Sequence, residues 1–190
     1  FGQRHRHAHI KPRTRAAMRA QGPNARWLSG ERVGVELRRM LTEARPSDGL
    51  RILDDIGVLA VVLPELTEQH GVPQDKIAGH DLFDHSLATA DAAAALPDAS
   101  ERLVVAAVLH DIGKPATFAA GRFIGHAEEG ARMARVVLRR LRISHTEAAG
   151  VAHLIREHMF QYQSEWTDAA VRRFLRRVGP GHIDDLLRLR

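Results

Sequence analysis

The stretch His110-Asp111-Ile112-Gly113-Lys114 decides how this chain is read. A histidine and an aspartate stand side by side at the end of an apolar run, Leu103 to Leu109. On a continuous helix, adjacent side chains point about 100° apart. Both reach one ion only if the helix stops there, and Gly113 and Pro115 supply the stop. Three more histidines fall on neighbouring segments: His85 one helix upstream, His126 just after Gly125, and His158 at the end of a later helix. Imidazole nitrogens and a carboxylate brought to one point suit a divalent transition metal, or Mg2+ where water fills much of the shell. The expected cofactor is one or two divalent ions of Mg, Mn, Ni, Fe or Zn. Lys114 is placed to neutralise a substrate phosphate or a developing charge.

Each donor alone has a plainer reading. A single buried histidine is more often a hydrogen-bonded core residue than a ligand, and His-Asp adjacency by itself is weak. The joint pattern carries the weight, with His85, His110, Asp111, His126 and His158 as ligands and Asp111 and Lys114 as the catalytic pair. His153 competes with His158, but five residues are about 140° around a helix, so one of the two faces away. His70, His80, His145, His182 and the N-terminal histidines read as structural or solvated.

The rest of the chain sets bounds. With 190 residues and 44% hydrophobic content it is a globular protein, large enough for one good core or two small helical units. Aromatics are only 5% and period-two strand patterns are missing, so the expected fold class is all-α. The longest apolar runs, Val58 to Pro64 and Leu103 to Leu109, are too short to span a bilayer. The absence of cysteine excludes disulfides and thiolate metal sites and fits a cytoplasmic setting. Net charge is +5 with only three lysines, so nearly all the positive charge is arginine, which grips phosphates in two-point fashion. A polyanionic partner follows from this; the plainer reading is a solvated arginine surface.

Punctuation places the helices. Lys11 to Ala20 reads as a short basic helix stopped by Gly22-Pro23. Ser29, Ser47, Asp81, Ser100, Ser144 and Thr167 are candidate caps, with Ser144 and Glu147 forming a capping box. Thr67 to Gly79 reads as a loop and as the domain boundary. Pro115 to Gly125 reads as a loop or small hairpin, and a last helix begins near His182.

These residues resemble the HD superfamily of metal-dependent phosphohydrolases, a helical fold with an H…HD…D signature. Asp-x-Gly-Lys after the histidine, then His126 with Gly130 four residues on, then a later histidine, resembles the subset that holds two metals. A closer likeness joins Pro73-Gln74-Asp75-Lys76, Gly79-His80-Asp81-Leu82-Phe83-Asp84-His85 and Leu109 to Pro115. These are similar to the HD domain of bacterial CCA-adding tRNA nucleotidyltransferases of the poly(A) polymerase family. Asp168 to Phe174 and Asp184-Asp185-Leu186-Leu187 extend it. Phe1-Gly2, Gly30 to Val33, Glu36-Leu37 and Leu63 to Leu66 look like that family's neck and body. The resemblance implies a helical neck and body over residues 1–68 and an HD domain over 69–190. It also implies a longer parent carrying a nucleotidyltransferase head, since no Gly-Ser followed by Asp-x-Asp occurs here. The superfamily's final aspartate is expected just past Arg190, with Asp184 and Asp185 too early to supply it.

Three functions follow. The resemblance first implies a phosphohydrolase acting on 2′,3′-cyclic or 2′-phosphate ends in tRNA 3′-end processing. The second reading is a non-catalytic tRNA-binding body and tail. Its basis is the arginine stripes Arg139, Arg140 and Arg142 on one helix and Arg172, Arg173, Arg176 and Arg177 on another. The third is a phosphohydrolase for a free nucleotide. A Gly-Tyr-Pro element typical of cyclic-dinucleotide enzymes is missing; Gln161-Tyr162-Gln163 does not supply it.

Overall fold

The computed structural model describes residues 10–74 and 79–190. The N-terminal histidines up to His9, Phe1-Gly2 and the Asp75-Lys76 part of the loop motif lie outside the described residues.

The fold is all-α with one small hairpin. In chain order the helices are α1 (Pro12–Gln21), α2 (Gly30–Leu41), α3 (Pro46–Asp55), α4 (Leu59–Val62), α5 (Pro64–Thr67), α6 (Leu82–Ala94) and α7 (Glu101–Leu109). They continue with α8 (Lys114–Thr117), α9 (His126–Arg140), α10 (His145–Glu157), α11 (Asp168–Val178) and α12 (Ile183–Leu189). Between α8 and α9, β1 (Phe118–Ala119) pairs antiparallel with β2 (Arg122–Phe123). Ala120 and Gly121 both take positive φ there, as a two-residue hairpin turn needs.

α7 organises the molecule. Every residue from Leu103 to Leu109 is buried, so this helix is apolar all round and sits inside the others. α6, α10, α12 and α2 all pack against it, and α9 lies along α10. Ala106 and Ala107 are fully buried, which lets neighbouring helices come close. Leu37, Leu41 and Leu50 from upstream join the same core cluster as Leu87, Leu103 and Leu154. Arg38 reinforces the seam, reaching Glu101 at the start of α7 and Glu147 on α10 at 2.9 Å.

The caps explain the register. Ser29, Asp81, Ser100, Ser144 and Thr167 each accept the backbone N–H three residues on, and Glu147 closes the capping box. Ser47 corrects the expectation. Arg45 is the N-cap of α3, Pro46 takes the first turn, and Ser47 is buried. Its hydroxyl donates to Asp91 Oδ2 at 2.6 Å and its N–H to Oδ1 at 2.9 Å, tying α3 to α6. A proline fits the first helical position so well that the start moves back past the serine. Leu63, pushed out of the helical region (φ −144°, ψ 61°) by the following Pro64, splits the Val58 to Leu66 run into α4 and α5.

After His110 the chain turns tightly and passes close against α9. A Cβ on Gly113 would lie 2.2 Å from the His126 carbonyl and 2.5 Å from the Gly130 nitrogen. Both obstacles are backbone, so no side chain can swing away. Gly113→Ala is expected to lower stability by about 3 kcal/mol, read from the urea midpoint. Gly181→Ala, with nothing within 4 Å of the added carbon, serves as the control and stays within about 0.5 kcal/mol.

Candidate metal centre

Each candidate donor sits at a helix end or first turn, and these positions converge. His85 lies in the first turn of α6, His110 caps the C-terminus of α7, and Asp111 follows in the turn. His126 opens α9 and His158 caps the C-terminus of α10. Asp111 is the hub. Its Oδ2 lies 3.0 Å from His110 Nε2, 3.5 Å from His85 Nε2 and 2.8 Å from Lys114 Nζ. Its Oδ1 lies 3.4 Å from His126 Nε2 and 3.7 Å from His158 Nε2. His85 and His110 bring their Nε2 atoms within 3.2 Å of each other.

The tautomers follow from the backbone. His110 Nδ1 donates to the Ala107 carbonyl at 2.8 Å, His126 Nδ1 to Phe123 at 2.7 Å and His158 Nδ1 to Ile155 at 2.6 Å. A carbonyl only accepts, so each Nδ1 carries the proton and each Nε2 presents a lone pair to the centre. This is how metal-binding histidines are commonly oriented.

Electrostatics agree. Burial pushes the Asp111 carboxyl up, but His110 and Lys114 beside it outweigh burial and hold it well below the usual carboxylate range. Burial, with His110 next, pushes His158 down to about 4, so it is neutral at physiological pH. Asp111 Oδ1 and His126 Nε2 are buried with no hydrogen-bond partner. Unsatisfied buried polar atoms are costly, and two beside one another fit a cation bound between them. Two ligands on one ion at about 2.1 Å each stand roughly 3.0–3.4 Å apart, close to the separations seen here. The donors fall into two overlapping triads, His85-His110-Asp111 and Asp111-His126-His158, that share Asp111. The residues therefore fit one ion or an Asp111-bridged pair.

Other sequence candidates fall elsewhere. His153 Nε2 bonds the Val178 carbonyl at 2.9 Å, so the helix phase leaves His158 at the centre. Asp185 accepts from Ser100 and Arg102, at the opposite end of α7 from His110. Asp184 pairs with Arg188 at 3.0 Å, so neither α12 aspartate joins the cluster. Arg140 commits its fork to Glu65, at 2.8 and 2.7 Å, in the seam to α5. Arg177 pairs with Glu157 at 2.9 Å, while Arg139, Arg142, Arg172, Arg173 and Arg176 are exposed. Sequence reasoning missed the rest of the cavity over the donors: Thr89, Met159, Phe160, Gln161, Leu189 and Arg190. Only Met159 to Gln161 carried a signal, by following His158. A second cavity of about 240 Å3 between α2, α7, α9 and α10 is lined mainly by leucines and valines, and its Glu101 and Glu147 are already paired with Arg38.

Fold and centre together define the class, and residues 82–187 match the family model described as HD domain. The chain belongs to the HD-domain family. Residues 9–69 match a second model, "Probable RNA and SrmB- binding site of polymerase A". The chain is 37% identical over 180 residues to the CC-adding tRNA nucleotidyltransferase of Thermus thermophilus, covering 87% of the chain and 40% of that protein. It is 33% identical over 180 residues to the A-adding tRNA nucleotidyltransferase of Deinococcus radiodurans (88% and 41%). It is 38% identical over 176 residues to the Multifunctional CCA protein of Ralstonia nicotianae (89% and 41%). The chain thus spans about two fifths of the length of these relatives. No helix among the described residues is long and apolar enough to cross a membrane.

Mn2+ is expected to raise the melting temperature by roughly 5–10 °C at a hundredfold excess over Kd, and EDTA to reverse it. Asp111→Asn, which keeps the side chain's size, is expected to abolish the Mn2+ shift. An unchanged shift in that variant contradicts the assignment of the centre.

Proposed function

We propose that the centre is a metal-dependent phosphohydrolase acting on 2′,3′-cyclic or 2′-phosphate ends of RNA, in tRNA 3′-end processing or repair. The observation that carries it is one buried carboxylate shared by two histidine pairs, with a lysine at hydrogen-bond distance. The chemistry a bound divalent ion supplies is Lewis-acid polarisation of a phosphoryl oxygen and of water.

The chain's own residues set up the rest. Asp111 stays ionised at the middle of the surrounding imidazoles. His85, His110, His126 and His158 offer Nε2 atoms to the centre, three of them held by backbone carbonyls. Lys114, only 12% exposed, holds a positive charge beside Asp111 where a phosphate would enter. Burial of the cluster limits water around those charges and strengthens their interactions.

A tRNA context is supported by the second family match and by the relatives' names. On this reading residues 1–68 form a neck and body and 69–190 the HD domain of a longer cytoplasmic protein with a nucleotidyltransferase head. The second reading, a non-catalytic tRNA-binding body and tail, is favoured by the exposed Arg139, Arg172, Arg173 and Arg176. The two roles are compatible in one chain.

Mn2+- or Ni2+-loaded protein is expected to hydrolyse adenosine 2′,3′-cyclic phosphate and adenosine 2′-phosphate, and His110→Ala to lose at least a hundredfold in kcat/KM. Full activity in that variant would overturn the assignment. For the RNA surface, tRNA affinity is expected to fall steeply with salt. Arg172→Ala with Arg173→Ala is expected to flatten the log–log slope by about one for each phosphate left without its arginine. A slope of zero in the parent protein would count against any binding to the RNA backbone.

A further inference from the structure

The donor cluster forms only part of the cavity of about 290 Å3 above it. The remaining lining includes Met159, Phe160 and Gln161, which follow the ligand His158, and Arg190 after α12. The Arg190 guanidinium sits 4.9 Å from the centroid of the Phe160 ring and donates to the Phe160 carbonyl. Phe160 is braced from behind by Phe174, with ring centroids 5.0 Å apart. Both groups that hold Arg190 are neutral. Lys114, by contrast, is compensated by Asp111 at 2.8 Å. The cavity therefore has a compensated cation near the donors and a planar cation at its rim, held by a ring and a carbonyl rather than a carboxylate.

A guanidinium held over a ring offers a planar face as well as a charge, and proteins that read unpaired nucleotides stack bases on such planes. Met159, 56% exposed, adds an apolar surface at the rim, and the Gln161 amide adds a donor and an acceptor able to meet a base edge. The volume is at the small end for ligand sites, which suits one nucleotide rather than a helical end.

We propose that Arg190 on Phe160, with Met159 and Gln161, forms a nucleobase subsite. It holds a single unpaired nucleotide by stacking its base while the phosphate faces the donor cluster. This rests on the phosphohydrolase reading for the direction of the phosphate, but it concerns recognition rather than turnover. The site then selects phosphates carried on a nucleoside over bare sugar phosphates.

Equilibrium binding tests it, by calorimetry in EDTA so that no turnover occurs, with adenosine 2′-monophosphate and ribose 5-phosphate as probes. The nucleotide is expected to bind roughly tenfold tighter, in line with one stacked base. Met159→Ala and Arg190→Lys, the latter keeping charge but losing the plane, are each expected to remove most of that preference. They should leave ribose 5-phosphate affinity unchanged. Both residues lie at the rim, so the fold is expected to survive, and an unchanged circular dichroism melt checks this. Equal affinity for the two probes, or an undiminished preference in Arg190→Lys, overturns the subsite. The hydrolase reading is read separately, as hydrolysis of adenosine 2′-monophosphate by the Mn2+-loaded parent. Hydrolysis without a base preference sinks the subsite alone; a base preference without hydrolysis sinks the hydrolase reading alone.

Discussion

A carboxylate at position 111, almost fully buried, is the constraint on which the rest of the molecule depends. An ion placed out of water costs several kcal/mol unless partners surround it. Asp111 has Lys114 on Oδ2 at 2.8 Å, and side chains from α6, α7, α9 and α10 converge around it. Helix ends spread from residue 85 to residue 158 meet at one atom pair. Lys114 balances the charge but reaches only Oδ2. Oδ1, facing two imidazoles that carry their protons on the far nitrogen, is left unsatisfied. Such an arrangement fits a cation, which would satisfy the carboxylate oxygen and the imidazole nitrogens together.

The helical scaffold holds the cluster in place. α7 is a buried apolar rod that fixes where His110 emerges, and the packing of α6, α10 and α12 on it leaves little freedom at its end. The turn then passes so close to α9 that Gly113 admits no side chain. The approach sets the distance between Asp111 and His126, so packing and metal geometry are the same constraint seen from two sides.

The convergence of the candidate donors was legible in the sequence because each sits beside a helix terminator or cap that sequence shows directly. The HD turn ends at Gly113, His126 follows Gly125, and His158 closes the helix begun by the Ser144 capping box. Caps were legible for the same local reason, except Ser47, where Pro46 took the helix start and a distant Asp91 took the hydroxyl. Long-range partners were not legible. Nothing near Arg140 announces Glu65, 75 residues away in sequence, so an arginine stripe that reads as one phosphate-binding face is partly an internal seam. The approach of Arg190 to the Phe160 ring is equally invisible, because it depends on α12 folding back beside the donor cavity. Local rules brought the candidate donors to helix ends, and tertiary packing decided which charges remain exposed.

Where each of the two triads holds an ion, the shared carboxylate sets a stoichiometry of two, which a single assay reaches most directly. Protein reconstituted with Mn2+, desalted without chelator, should carry two equivalents by inductively coupled plasma mass spectrometry. His85→Ala and His126→Ala should each retain close to one, since each removes a ligand from only one triad. Metal-free protein after reconstitution, or one equivalent in the parent that either substitution removes entirely, would contradict an Asp111-bridged pair.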